Sequence, residues 1–433
     1  MDYDIQVYTS LRKTPRFEYA VDLVLGNILG LNYKIVDDPD LSKPLINYSN
    51  DRNIGGIYIQ PEMILFEEGI RHQDIWVAHI NSVPLFFQQP PEAGFMLDIF
   101  AFSFYLVTRY EEYLTNARDE HGRYAAESSI AYKHNFLDLP VVDIWAHRLG
   151  ETLKLLYPSI NIPEKKYDCL LTVDLDQPFA YRGKGLIRNI GGLVIDLING
   201  KNPGDRFQCM AGRNKDPYAT YDYINKTAEK YNSPLMYFYT TGRRSKFDKN
   251  ISPGRSCYKK LIRNLSKKYG IGLHTSYRSD NNKTMIHKEK LRLEKVSQQE
   301  VARVRKHFLL LNLPLTYQVL ESMGFQEDYT LGYIREVGFR AGIARPFRFY
   351  DLSKEELSSL VLVPFQFMEG TYQKYKRLSP DQAKESVKNL IHNTREVGGL
   401  FVSIWHNTSL NNIGEWKGWR ELFEFTLSEQ KKQ

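Results

Sequence analysis

The chain has 433 residues, of which 42% are hydrophobic and 25% charged, a balance that excludes a disordered or fibrous protein. That length exceeds what a single core usually holds, so a large domain with a smaller companion is expected. Its net charge of +7 gathers in the stretch from Arg243 to Lys268, and its three scattered cysteines, Cys169, Cys209 and Cys257, exclude a disulfide framework or a zinc–cysteine cluster.

In chain order, the start MDYDIQVYTSLRK carries acids where a leader peptide needs bases, and Val21 to Leu31 is too short to cross a bilayer. The expectation is a soluble, cytoplasmic protein with no transmembrane segment and an open oligomeric state. Short apolar runs then alternate with polar turns, as in IGGIYIQ (Ile54 to Gln60) and DIWVAHI (Asp74 to Ile80). From Met96 to Tyr113 an aromatic stretch puts Phe100, Phe104 and Val107 on one helical face. A helix from about Val141 to Leu156 stops before YPSINIPEKKYD, whose prolines mark a boundary, and we divide the chain there into residues 1–165 and 166–433.

Beyond the boundary, CLLTV (Cys169 to Val173), PLMYFYT (Pro234 to Thr240), IGLH (Ile271 to His274) and LFVSIW (Leu400 to Trp405) are compact strands separated by enough chain for crossover helices. Ser297 and Glu300 match a capping box ahead of Val301, Val304 and Phe308 on a helical face. Buried parallel strands joined by helices imply a barrel or an open α/β sheet. GKGLIRNIGG, Gly183 to Gly192, lacks both nucleotide-binding glycine patterns and reads as turns.

Four places carry chemistry. TVDLDQP sets Asp174 and Asp176 at a strand's carboxyl end, where both carboxylates can reach one cation. His274 follows another strand and can complete a transition-metal site, whereas the nearby Arg278 would repel the cation. RKHF supplies Arg305 and His307, and His406 with Asn407 ends the last strand, where an imidazole can donate a proton to a leaving group.

The ordered series TVDLDQP, IGLHTSY, RKHFL, GYIREVGFRAG and WHN resembles the polysaccharide deacetylase superfamily, related to family four carbohydrate esterases, over about Asp168 to Phe425. DIFAFSFYLVTRYEEY and DEHGRY, from Asp98 to Tyr124, resemble the companion domain of a divergent bacterial branch. The resemblance implies an α/β fold with a distorted, seven-stranded parallel β/α barrel and a smaller amino-terminal α/β domain; a closed eight-stranded barrel is the nearby alternative. It also implies removal of N-acetyl or related amide groups from a glycan or small acetylated saccharide, with a divalent metal, zinc first, or with the metal lost. Asp174 then matches the base, Asp176 and His274 the metal ligands, Arg340 the orienter of a carboxylate and His406 the acid. Arg278 stands where the family has its second histidine, and we assign His307 as the replacement on its chemistry alone. The alternative is a catalytically degenerate glycan-binding or assembly protein using aromatics among Tyr277, Tyr329, Tyr333, Trp405, Trp416 and Trp419. Nucleic acid is disfavoured because no base-reading module accompanies the basic interval.

Overall fold

The structure is a computed structural model that describes residues 3–185, 189, 192, 203–211 and 213–432. Much of GKGLIRNIGG, including residues 186–188, 190 and 191, lies outside the described residues. Among those described, the chain forms an α/β fold with two principal sheets, a smaller one near the amino terminus and a large, mostly parallel one after it.

The small sheet is wholly parallel, with strands β1 (Ile5–Tyr8), β2 (Tyr33–Val36), β3 (Leu45–Tyr48) and β4 (Ile57–Ile59) in the order β2-β1-β3-β4. IGGIYIQ therefore contributes β4, and DIWVAHI contributes β5 (Ala78–Ile80), which pairs antiparallel with β6 (Val83–Leu85). The aromatic stretch forms the helix Ile99–Val107, capped by Asp98, whose side chain accepts from the Phe100 and Ala101 backbone N–H groups. Every residue of that helix is buried, so it runs through the interior rather than along one face. The second expected helix spans Val141–Leu156 and buries Leu149 and Leu153.

The large sheet holds nine strands among the described residues: β7 (Asp168–Leu175), β8 (Leu235–Thr240), β9 (Gly270–Thr275), β10 (Arg303–Lys306), β11 (Glu327–Asp328), β12 (Phe347–Asp351), β13 (Glu356–Leu362), β14 (Phe367–Met368) and β15 (Leu400–His406). Their order is β12-β13-β11-β10-β9-β8-β7-β15-β14, and only β12 with β13 is antiparallel. The sheet holds two strands more than the seven the resemblance implies, and β11 and β14 are only two residues each.

The order shows how this sheet curves. β13 and β14 sit seven strand spacings apart, about 34 Å on a flat sheet. Only residues 363–366 join them, a link that reaches less than about 20 Å. The sheet must therefore roll until its ends approach, with the link bonded at one end to β11, where Val363 N–H donates to Asp328 O, and at the other to β15, where Gln366 N–H donates to Val402 O. No strand pairing between β12 and β14 completes the ring among the described residues, so this is a distorted, unclosed barrel and not the closed eight-stranded one.

One expectation fails for a local reason. Ser297 does not open a helix; it ends the helix Lys283–Ser297, its hydroxyl donating back to Leu293 O, and Gln298 turns left-handed at φ +61°. Val304 then lies in strand β10.

Buried and partly buried ion pairs tie the two sheet regions together. Arg16 reaches Glu355, Asp143 holds Arg345 at 2.5 Å and Glu112 holds Arg340 at 2.7 Å. One hydrophobic core runs through both regions.

Candidate metal centre and active site

Parallel strands deliver their carboxyl ends to one edge of a barrel, and this edge collects the chemistry. Asp174 is the penultimate residue of β7, in register with His406 at the end of β15. Asp176 follows β7 at a bend, His274 lies near the end of β9, and His307 comes directly after β10. Residues from four strands thus meet in an open cleft of about 210 Å³ that also includes Lys306, Glu369 and Trp416.

Three imidazoles converge on one carboxylate. His274 Nε2 lies 3.1 Å from Asp176 Oδ1, His307 Nε2 lies 3.4 Å from Asp176 Oδ2 and His406 Nε2 lies 3.6 Å from the same Oδ2. Each ring is anchored through its other nitrogen: His274 Nδ1 to Arg305 O at 3.1 Å, His307 Nδ1 to Asp248 Oδ1 at 3.1 Å, and His406 Nδ1 to Glu369 Oε1 at 2.9 Å. A carbonyl or carboxylate oxygen only accepts, so each Nδ1 carries the proton and each Nε2 is directed at Asp176.

The donor set fits a divalent cation. Asp176, His274 and His307 offer ligand atoms within 4.8 Å of one another. With His274 protonated on Nδ1, its Nε2 lone pair faces Asp176 Oδ1, which is buried and has no hydrogen-bond donor. Two electron-rich atoms 3.1 Å apart call for a cation or an extra proton. The two imidazoles face different oxygens of the one carboxylate, His274 towards Oδ1 and His307 towards Oδ2, so both sides of Asp176 are turned to the same cluster.

Without a metal, protons do the same work. Burial pushes Asp176 up, but His307, His274 and His406 outweigh it and hold the carboxyl well below its usual range. Burial opposes a charged His307, yet Asp176 and Asp248 raise it to about 10. His406 is likewise raised to about 9, with Glu369 and then Asp176 overcoming burial.

Asp174 stands beside this cluster with its own anchor. Arg305 Nη1 donates to Asp174 Oδ1 at 2.7 Å, while Asp174 Oδ2 lies 3.8 Å from His274 Nε2. Arg305 is fully buried, its guanidinium 4.3 Å above the Phe238 ring and its Nε bonded to Tyr329 O. Beyond His307 the chain turns through two bulky residues in left-handed conformation, Phe308 at φ +59° and Leu309 at φ +53°. Such conformations are unfavourable for large side chains and persist only when their surroundings hold them. Arg123, from the amino-terminal region, donates to Phe308 O at 2.8 Å and supplies part of that hold.

Asp174, Asp176, His274, His307 and His406 therefore come together. Arg340 does not: its Nε and Nη2 both bind Glu112, so it secures the amino-terminal region and orients neither aspartate. The arginine on Asp174 is Arg305. Sequence reasoning also missed Asp248 and Glu369 as the anchors of His307 and His406. Asp248 was visible as the sole acid in the basic interval; Glu369 follows a two-residue strand and carried no signal. Arg278 is exposed, and its backbone N–H points to Asp248. Of the aromatics considered for sugar stacking, Tyr329, Tyr333, Trp405, Trp416 and Trp419 are buried, with only Tyr277 half-exposed.

Residues 5–158 match the model of a family of unknown function, DUF7033. No curated protein matches the chain. Among solved structures, the chain is similar to a candidate polysaccharide deacetylase from Mycobacterium smegmatis, with 17% identity over 63% of this chain and 86% of that one, at a TM-score of 0.40. Puue allantoinase aligns at 12% identity over 61% and 85%, with a TM-score of 0.40. A polysaccharide deacetylase from Bacillus cereus aligns at 10% identity over 61% and 88%, with a TM-score of 0.32.

Proposed function

We propose that the protein is a metal-dependent hydrolase that removes an N-acetyl or related amide group from a glycan or a small amide substrate. The observation that carries this reading is the convergence of three Nδ1-anchored histidines on Asp176, beside an aspartate pinned by a buried arginine. Asp176, His274 and His307 are the residues that would hold the cation, zinc by preference for this nitrogen and oxygen set. When bound, such a cation supplies polarisation of a carbonyl and stabilisation of the negative charge that develops on it.

The chain's own groups account for the protons. Arg305 occupies one oxygen of Asp174 and leaves Oδ2 to take a proton from the attacking water. His406, held through Nδ1 by Glu369, is placed to give a proton to the departing nitrogen. The carbon–oxygen bond forms, the carbon–nitrogen bond breaks, and one proton moves from water to Asp174 while another leaves His406. Glu369 positions His406 by accepting from its ring and from its backbone N–H, both at 2.9 Å. A cytoplasmic location belongs to the same proposal; no helix among the described residues is long and apolar enough to cross a membrane.

The test combines metal analysis with turnover of acetylated saccharides. Wild type loaded with zinc, cobalt, nickel or manganese should hold one metal, and Asp176→Ala, His274→Ala and His307→Ala should each lose it. Asp174→Asn and His406→Gln should keep the metal and lose about 10²–10⁴-fold in turnover. Wild type that takes up no stoichiometric metal, or turnover that survives chelation, would remove the reading.

A further inference from the structure

Positive charge is not spread evenly over this molecule. Between Arg243 and Lys295 sixteen bases stand against four acids, so the interval carries +12, while the remaining 42 bases and 47 acids leave the rest of the chain at −5. All four acids are engaged within the fold: Asp248 with His307, Asp280 with Lys306, Glu289 with Ser276, and Glu294 with the Val301 backbone N–H. The bases are therefore left without internal counter-charge.

Two helices, Ser256–Ser266 and Lys283–Ser297, carry most of this charge and pack side by side over strands β8 and β9. Apolar residues at helical spacing fix how each is turned: Tyr258, Ile262 and Leu265 face the core from the first, and Ile286, Leu293 and Val296 from the second. The opposite stripes are exposed, with Lys260, Arg263 and Lys267 on one and Lys288, Leu291 and Lys295 on the other. None of these five cations has an ion-pair partner among the described residues. Like charges three and four positions apart on a helix repel, a cost that an anionic partner would reverse. The loop that brings Asp248 to His307 also exposes Arg243, Arg244 and Lys246, so the charge continues from the helices to the barrel edge that carries the metal cleft.

We propose that the outward faces of these two helices dock the protein on an anionic lipid membrane. The proposal does not depend on the hydrolase reading. Charge supplies the attraction, since each lysine or arginine close to an acidic lipid surface strengthens binding by about fivefold. Leu291 decides between lipid and nucleic acid. It is 49% exposed in the middle of a basic stripe, one turn from Lys288 and one from Lys295. A leucine so placed gains by entering the acyl boundary of a bilayer while the lysine stems lie along it and their ammonium groups stay among the headgroups. Against the phosphates and sugars of a duplex it gains nothing, and neither stripe exposes an aromatic ring to stack on an unpaired base. Neither helix is long and apolar enough to cross a membrane, so the contact is peripheral and reversible.

The experiment is co-sedimentation of the full-length protein with vesicles of phosphatidylcholine, alone or with about 30% phosphatidylglycerol, at salt from about 0.05 to 0.5 M. Partitioning should require the anionic lipid and fall steeply as salt rises. Lys260→Glu with Arg263→Glu and Lys267→Glu should lower it by at least about 100-fold. Lys154→Glu with Lys388→Glu and Lys417→Glu makes the same change in net charge at exposed positions elsewhere and should lower it by less than about threefold. Leu291→Gln should weaken binding to vesicles about fivefold and leave retention on duplex DNA unchanged. No partitioning, equal partitioning onto neutral vesicles, or equal losses in the two triple variants would overturn the proposal. Duplex DNA bound at least as tightly as the vesicles, with Leu291→Gln changing neither, would also overturn it and give the face to nucleic acid.

Discussion

Replacing Arg305 with Met tests how the barrel's edge is held together. Asp174 is 3% exposed and Arg305 fully buried, so removing the guanidinium strands a carboxylate in the interior. Breaking a buried pair from one side costs about 3–5 kcal/mol, a large share of the ~5–15 kcal/mol that stabilises a typical protein. Asp174→Asn should cost a comparable amount, since it leaves the arginine charge without its partner. The double variant, Asp174→Asn with Arg305→Met, removes both charges and should recover about 2–4 kcal/mol relative to the sum of the singles. Urea denaturation in the presence of a chelator measures the cycle without a contribution from bound metal. Additivity within about 0.5 kcal/mol would show that the 2.7 Å contact carries no coupling, and the pinned-aspartate argument would fall with it.

Other predictions follow from the same geometry. His406 and His307 are raised to about 9 and about 10, the first by Glu369 and Asp176 and the second by Asp176 and Asp248, against burial. A raised histidine stabilises the fold fully below its unfolded pKa of about 6.5 and loses that contribution as pH rises through the folded value. Metal-free protein should therefore lose stability from about pH 6.5 to 10 in urea titrations, and Glu369→Gln should flatten the part near pH 9. Arg340→Met should destabilise the protein by about 3–5 kcal/mol, because Glu112 is left buried and short of a partner, yet leave metal affinity unchanged. Loss of metal in that variant, with the fold intact by circular dichroism, would return Arg340 to the site.

The parts of the fold legible in the sequence are those whose signal is local. β7, β8, β9 and β15 are continuous apolar runs because both their faces are covered, and the helix Val141–Leu156 shows its period directly. Ser297 and Glu300 satisfied a spacing rule that holds equally at the wrong end of a helix. Arg340 was misassigned because its partner, Glu112, lies 228 positions away, a distance no motif encodes. Arg305 was named beside His307, but its pairing with Asp174 spans 131 positions and carries no local signal.

The pairing of β7 with β15 bears on how the chain is made. Thr172 donates its hydroxyl to Ser403 O across 231 positions, and the whole of β7 stays unpaired on that side until β15 has been synthesised. At ~5–20 residues per second this interval lasts roughly 10–50 s. During that time a nascent chain presents a long apolar strand with an open edge, the kind of surface that recruits other unfolded chains. The edge of the barrel that carries the candidate site is thus completed last, by strand β15 and its His406, and a ribosome stalled before residue 400 would release a protein with an aggregation-prone seam where that site should be.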